Sequence, residues 1–270
     1  GKYLLFIDPD DFVEPNSLNR ILNKADNLEC QASYLGFTVI SESGRVVKRL
    51  LNDKQKDTIF NGTEAYYISR GNDRKDPDRM VAVLFRRDLF EQHKLRYLTG
   101  VPYLEDGEFI ARILCFTDRC IFDGRPFYFR TIREGSATNS SLFYSERAID
   151  GFFQSATNLM NFKKNPELSQ DKRDFLNQAI CKFVIIFITS SASPFSIGKI
   201  HCAKERLCRV GLCKLDLKSI DLEYRILGHL YNFSVFALIL YQFLLFRLYH
   251  VCGTIKLQLG KLFKSKSQSL

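Results

Sequence analysis

The period of the hydrophobic positions changes along the chain, and the changes predict its elements. Residues 3–7, Tyr-Leu-Leu-Phe-Ile, form a continuous apolar run, the texture of a central strand covered on both faces. From Leu18 the spacing becomes helical. Leu18, Ile21, Leu22 and Ala25 share one face of a helix that Asn16 or Ser17 caps and that runs to about Cys30. Residues 31–40 and 45–51, separated by Ser41-Glu42-Ser43-Gly44, read as a β-hairpin. A short helix at 62–69, a polar loop at 71–78, an apolar strand at 80–85 and a helix at 87–93 follow. Phe109, Ile110, Ile113 and Leu114 recur at helical spacing, which puts Leu104-Glu105-Asp106 at the start of a helix over 105–116. Two short strands, 120–123 and 126–131, are joined through Gly124. After Ser140 the texture is helical, at about 145–163, 169–190 and 199–210. The expected fold class is therefore α/β, a sheet domain over 1–140 followed by an α-helical C-terminal region over 141–229, with a boundary near Asn139 and a third segment over 230–270.

At 270 residues and 46% hydrophobic, the chain can bury a substantial core, so disorder is excluded as the default. The net charge of +9 is unevenly spread, because from Pro194 onward 12 Lys/Arg face 4 Asp/Glu and account for +8 of it. Residues 230–246 are 17 positions without a charge, fewer than the roughly 20 a spanning helix wants. With the basic tail at Lys256, Lys261, Lys264 and Lys266, the run reads as an interfacial helix on the anionic inner leaflet of a membrane. The alternative is a helix buried in the core or in a dimer. No aromatic platform or reading motif interleaves the basic residues, so nucleic acid is not an expected partner. The eight cysteines lack any Cys-x-x-Cys pair, which suggests neither a zinc site nor a disulfide framework and fits a reducing cytoplasm. The chain begins at Gly1, without Met or a leader and almost directly on a strand, as a cut chain would.

Candidate chemistry sits at strand and helix ends. Asp8, Asp10 and Asp11 follow the first apolar strand, where open α/β sheets collect ligands, and three carboxylates in four residues suit Mg²⁺ or Mn²⁺ bridging to phosphates. The plainer reading is a solvated turn shaped by Pro9. Asp106, beside Glu105, can act as a general base on a hydroxyl within reach, or can simply cap its helix. Arg130 and Arg133, with Ser136, bring two guanidiniums and a hydroxyl to a strand end, a clamp for a diphosphate or a surface pair with Glu134.

The order of Gly1-Lys2-Tyr3-Leu4-Leu5-Phe6-Ile7-Asp8-Pro9-Asp10-Asp11, Leu104-Glu105-Asp106 and Tyr128-Phe129-Arg130 with Ser136 downstream resembles family 2 glycosyltransferases of the GT-A (Rossmann-like) fold, the bacterial surface-polysaccharide type in particular. The resemblance spans residues 1–140. It implies an Asp-x-Asp pair at Asp8 and Asp10, with Asp10 as the direct metal ligand and Asp8 near the ribose or a metal-bound water. It implies Asp106 as catalytic base, and Arg130, Arg133 and Ser136 where the family closes over donor and acceptor. The cofactors implied are Mn²⁺ or Mg²⁺ and a nucleotide-sugar donor, UDP-linked. The partners are a glycan or lipid-linked acceptor, and the location is cytoplasmic or peripheral on the cytoplasmic face of the membrane. The family's N-terminal nucleotide-binding half has no counterpart here, so the expectation is the C-terminal portion of a GT-A domain, inactive as it stands. Absence of Trp excludes the processive members' Gln-x-x-Arg-Trp element. Two readings compete: a haloacid-dehalogenase-type phosphotransferase with Asp8 as nucleophile, and a non-catalytic membrane-associated interaction module.

Overall fold

In the computed structural model, which describes residues 1–52, 58–70, 78–132, 141–192 and 196–245, six strands form one mixed sheet. They are β1 (Tyr3–Leu5), β2 (Phe12–Val13), β3 (Ala32–Ser41), β4 (Val46–Leu50), β5 (Val83–Arg86) and β6 (Cys120–Ile132). The order is β1-β5-β3-β6-β2, with β4 pairing β3 as well. β3 and β6 are parallel, and β5 is antiparallel to both β1 and β3, so β1, β3 and β6 point their carboxyl ends the same way. The helices threaded between them are α1 (Leu18–Asn27), α2 (Gly62–Arg70), α3 (Asp88–Gln92) and α4 (Glu105–Cys115). After the short 3₁₀ turn Ser141–Tyr144 come α5 (Glu146–Phe162), α6 (Gln170–Ser191), α7 (Ile197–Arg209), α8 (Leu222–Phe233) and α9 (Val235–Leu245).

Local chemistry explains the helical starts. Ser145, Ser169 and Ser196 each accept a backbone N–H of the first turn on the side-chain oxygen, at the N-caps of α5, α6 and α7. α1 departs from expectation, because neither Asn16 nor Ser17 caps it. Ser17 Oγ instead donates to the Glu14 carbonyl, and Asn16 takes a left-handed conformation at φ 60°. β1 departs too. Leu4 and Phe6 pack on one core and Tyr3 and Leu5 on another, so both faces are covered, yet the strand is an edge of this sheet. A continuous apolar run reports covered faces and says nothing of lateral neighbours.

The two strands expected at 120–123 and 126–131 are one, because β3 runs unbroken beside both and a bulge around Gly124 and Arg125 takes up the mismatch. Gly36 makes that bulge possible. A Cβ at Gly36 would overlap the Arg125 carbonyl oxygen, so Gly36→Ala should cost about 1–3 kcal/mol, read as a lower urea midpoint.

The larger core runs without interruption from β3 and β5 through α4 and on to α5, α6, α7 and α9, and the sheet and the C-terminal helices share it. Residue Asn139, the expected boundary, lies outside the described residues. α6 is the centre of the helical layer. Among the described residues it is the single helix long and apolar enough to cross a membrane, and 78% of its apolar window is buried within the protein, as a core helix requires. The charge-free run 230–246 is not one helix in its described part. Ser234 is extended (φ −162°, ψ 129°), ends α8 and accepts the Ala237 N–H at the start of α9. A hydroxyl that competes for backbone partners breaks the run where an apolar side chain would have continued it. The cysteines form no framework among the described residues, where Cys30, Cys115, Cys120, Cys181 and Cys202 are free, but one local bond departs from expectation. Cys208 and Cys213 are disulfide-bonded, because α7 ends at Arg209 and Gly211, at φ 83°, turns the chain back on itself.

Candidate active site

β1 ends at Leu5 and the chain turns through Asp8-Pro9-Asp10-Asp11 into β2. Asp11 fastens this turn to β6. Its carboxylate accepts the Tyr128 hydroxyl at 2.8 Å and the Thr131 N–H at 3.0 Å, while the Asp8 N–H donates to the Tyr128 hydroxyl oxygen at 3.0 Å. With Asp11 so held, Asp8 and Asp10 stay exposed. One carboxylate oxygen from each of the three lies within 4.8 Å of the others. Oxygen-only donors so grouped suit a small hard divalent cation and no soft one. Although Asp8 is exposed by area, the protein atoms around the turn partly desolvate its carboxyl and push it up from its ordinary value, followed by the charges of Asp11, Asp106 and Asp10, with Arg130 acting against them. Arg130, on β6 opposite Val39, therefore sits within electrostatic reach of Asp8. Arg133 and Ser136 lie outside the described residues.

Asp106 reaches the same edge from the first turn of α4. It does not cap that helix. Its Oδ1 accepts the Tyr97 hydroxyl at 2.8 Å and its Oδ2 accepts the Met80 N–H at 3.3 Å. Phe6 bridges Val81 beside that contact, so Met80 and Asp106 stand at the carboxyl end of β1, next to the acidic turn. Burial pushes the Asp106 carboxyl above the usual range, the two hydrogen bonds pull it back, Asp78 raises it and Lys182 lowers it. Glu105 beside it is raised as well, by burial first and then by Asp106 and Asp8. The Tyr97 ring is fixed edge-on to Phe6 at 6.1 Å and against Phe109 at 4.0 Å, which sets the direction of its hydroxyl. An open apolar cavity of about 270 Å³ touches the site through Phe6, Tyr97 and Phe109.

Behind this carboxylate lies an ion pair that joins the two layers of the molecule. Lys182 of α6 donates to Asp78 at 2.8 Å, and both side chains are largely buried. Gly107 leaves room for it, since a Cβ there would come within 2.9 Å of the Asp78 carboxylate. Tyr97, Asp78 and Lys182 are invisible to sequence reasoning. No short motif links position 78, 97 or 182 to 106, and only the packing of α6 on α4 brings them together.

The structure thus gathers Asp8, Asp10, Asp106 and Arg130 at one edge of the sheet, formed by the carboxyl ends of β1 and β6.

Comparison with known proteins follows the same lines. No family model matches the chain. It is 25% identical over 138 residues to the succinoglycan biosynthesis protein ExoO of Rhizobium meliloti, covering 50% of this chain and 39% of ExoO. It is 26% identical over 125 residues to an uncharacterized glycosyltransferase of Haemophilus influenzae, covering 44% of this chain and 38% of that protein. The chain thus spans about two fifths of the length of these curated relatives. Among solved structures, residues 1–349 of Staphylococcus aureus TarS in complex with UDP-GlcNAc superpose with a TM-score of 0.57 at 15% identity, over 88% of this chain and 66% of that one. A longer TarS structure gives 0.52 at 14% identity, over 88% and 39%. The chain has the α/β fold of TarS followed by a helical region, and across 44–50% of its length its sequence is similar to proteins named for glycosyl transfer and polysaccharide synthesis.

Proposed function

We propose that this protein is an inverting, metal-dependent glycosyltransferase of family 2, moving a hexose from a UDP-linked donor to a hydroxyl of a glycan or lipid-linked acceptor in surface-polysaccharide synthesis on the cytoplasmic side of the membrane. The observation that carries the proposal is Asp106. It is a half-buried carboxylate that does not cap its own helix, is held on both oxygens, and feels the charge of the Asp8 turn. The names of the relatives support the reaction class, and the UDP-GlcNAc bound by TarS supports the donor class.

In this reading Asp106 accepts the proton of the acceptor hydroxyl as that oxygen bonds to the anomeric carbon. The bond from that carbon to the diphosphate oxygen breaks on the opposite face, and the configuration inverts. A Mg²⁺ or Mn²⁺ ion held by Asp10 and Asp8 would supply charge neutralisation for the leaving diphosphate. Asp11 keeps the turn that carries these two in place against β6. Arg130, whose charge acts on Asp8, serves the diphosphate, and the family resemblance assigns Arg133 and Ser136 to the same task. Asp8, whose carboxyl feels the charge of Asp106, takes the ribose side or a metal-bound water.

The test uses the protein expressed from its full coding sequence and Mn²⁺-dependent hydrolysis of several nucleotide sugars. Asp10→Ala should lower that hydrolysis at least about 100-fold. Turnover unchanged in Asp10→Ala, or a phosphate ester substrate that leaves a covalent phosphoryl group on Asp8, would overturn the proposal.

A further inference from the structure

Asp106 takes its direction from a stretch of chain that is itself fastened elsewhere. The Met80 N–H that meets its Oδ2 lies two residues after Asp78, and the Asp78 carboxylate accepts from Lys182 Nζ at 2.8 Å. Lys182 comes from α6, the central helix of the C-terminal layer, which packs on α4. The side chains of Lys182 and Asp78 are 9% and 2% exposed, so water does little to screen either charge. A short piece of backbone therefore connects a buried ion pair to the amide that orients the carboxylate.

The same pair acts on Asp106 through its charges. A Cβ on Gly107 would stand 2.9 Å from an Asp78 carboxylate oxygen and 3.4 Å from Lys182 Nζ, so both partners reach the residue next to Asp106. The titratable and charged groups that face Asp106 are Tyr97 from the loop before α4, Glu105 from α4 itself, Asp8 from the acidic turn, Asp78 from the segment before β5, and Lys182 from α6. Lys182 is the cation of this set. Asp78 works to keep a proton on Asp106, and Lys182 works to remove it.

We propose that Lys182 is a positioning residue for Asp106: it anchors Asp78, and with it the Met80 amide, and sets its own positive charge against the Asp78 carboxylate beside the base. This rests on the reading of Asp106 as the base, and it adds a residue of the helical layer to a site otherwise built from the sheet and α4. Lys182 acts through Asp78 and Asp106 and not on the substrates. Its removal should weaken proton acceptance and leave donor affinity alone. A pair that served packing alone would lower stability when broken, admit water, and so move the Asp106 titration downward whichever partner was replaced.

The experiment follows the Asp106 carboxyl by its ¹³C resonance in the full-length protein labelled at aspartate Cγ, without any ligand, the signal being assigned by its loss in Asp106→Asn. Lys182→Met should move the titration midpoint upward, Asp78→Asn should move it downward, and Lys182→Arg should restore the wild-type position. Asp78→Asn/Lys182→Met leaves neither charge of the pair unmatched, so it keeps the test valid if Lys182→Met fails to fold, and its midpoint should lie above that of Asp78→Asn. In Mn²⁺-dependent hydrolysis of nucleotide sugars, kcat on the acid limb should fall about tenfold in Lys182→Met while KM stays within about twofold. A midpoint that Lys182→Met lowers or leaves unmoved, or a double variant that titrates with or below Asp78→Asn, would overturn the proposal. Midpoints that move as stated in a protein that hydrolyses no nucleotide sugar would uphold the link from Lys182 to Asp106 and sink the proposed reaction instead.

Discussion

Asp106→Asn is expected to lower kcat for glycosyl transfer by about 10²- to 10⁴-fold, the span of a general base, while the affinity for the nucleotide sugar stays within about twofold. The amide keeps the shape of the carboxylate, so loss of proton acceptance is separated from loss of packing. Tyr97→Phe is the companion measurement. It retains the ring between Phe6 and Phe109 and deletes only the hydroxyl that donates to Asp106.

The sign of the pH effect follows from the causes acting on Asp106. Burial raises its folded-state value, so the ionised, base-competent form is lost at a higher pH than for an ordinary carboxylate as pH falls. The Tyr97 hydrogen bond opposes that rise. Removing it should move the acid limb of kcat further toward neutral pH. The same raised value means that folding stability contributed by protonated Asp106 is present at low pH and declines as pH rises through the folded-state value. A pH–rate profile of the two variants checks the first statement and a urea midpoint measured across pH the second. An acid limb that stays put in Tyr97→Phe would remove Tyr97 from the site.

The second large effect concerns stability. Glu108 and Arg112, one turn apart on α4, form a buried pair with contacts of 2.6 and 2.8 Å, and Glu108 also accepts from Asn158 at 2.5 Å. Glu108→Ala would leave the Arg112 guanidinium in the core with the Arg96 carbonyl as a hydrogen-bond acceptor in place of a counter-charge. The expected loss is about 3–5 kcal/mol, seen as a lower midpoint in urea with a similar slope. Glu108→Leu/Arg112→Met, which removes both charges and keeps the volume, should recover most of it. If the single and double variants unfold at the same midpoint, the pair contributes through packing alone.

Which parts of this molecule can be read from its sequence depends on how local their causes are. The serines at 145 and 169 sit directly at the helix starts they cap, whereas Ser196 caps α7 ahead of the start expected at 199, and a 3.6-residue period locates α4, α5 and α6 to within a residue or two. The acidic turn is legible because its chemistry lies in four consecutive residues. The capping reading of Asp106 is equally consistent with sequence, and only its contacts with Tyr97 and Met80 decide against it. The edge position of β1, the fusion of two short strands into β6 and the approach of Lys182 to Asp78 depend on elements far away in sequence. None of these leaves a periodic trace. α8 escapes sequence reading because its charged first half, Glu223 and Arg225, stands apart in texture from the apolar run in which it ends.

The Lys182–Asp78 pair has a bearing on how such a protein can change over evolutionary time. Sheet and helices look exchangeable on paper, and a new C-terminal helical layer is an obvious route to a new acceptor. Asp78 belongs to the sheet layer and its cation to the helical one. A recombinant that grafted foreign helices onto this sheet would lose the Lys182 charge from beside Asp78, and so would alter the electrostatics next to the base before any acceptor had been tried. Inheritance of the two layers is thereby tied together at one lysine.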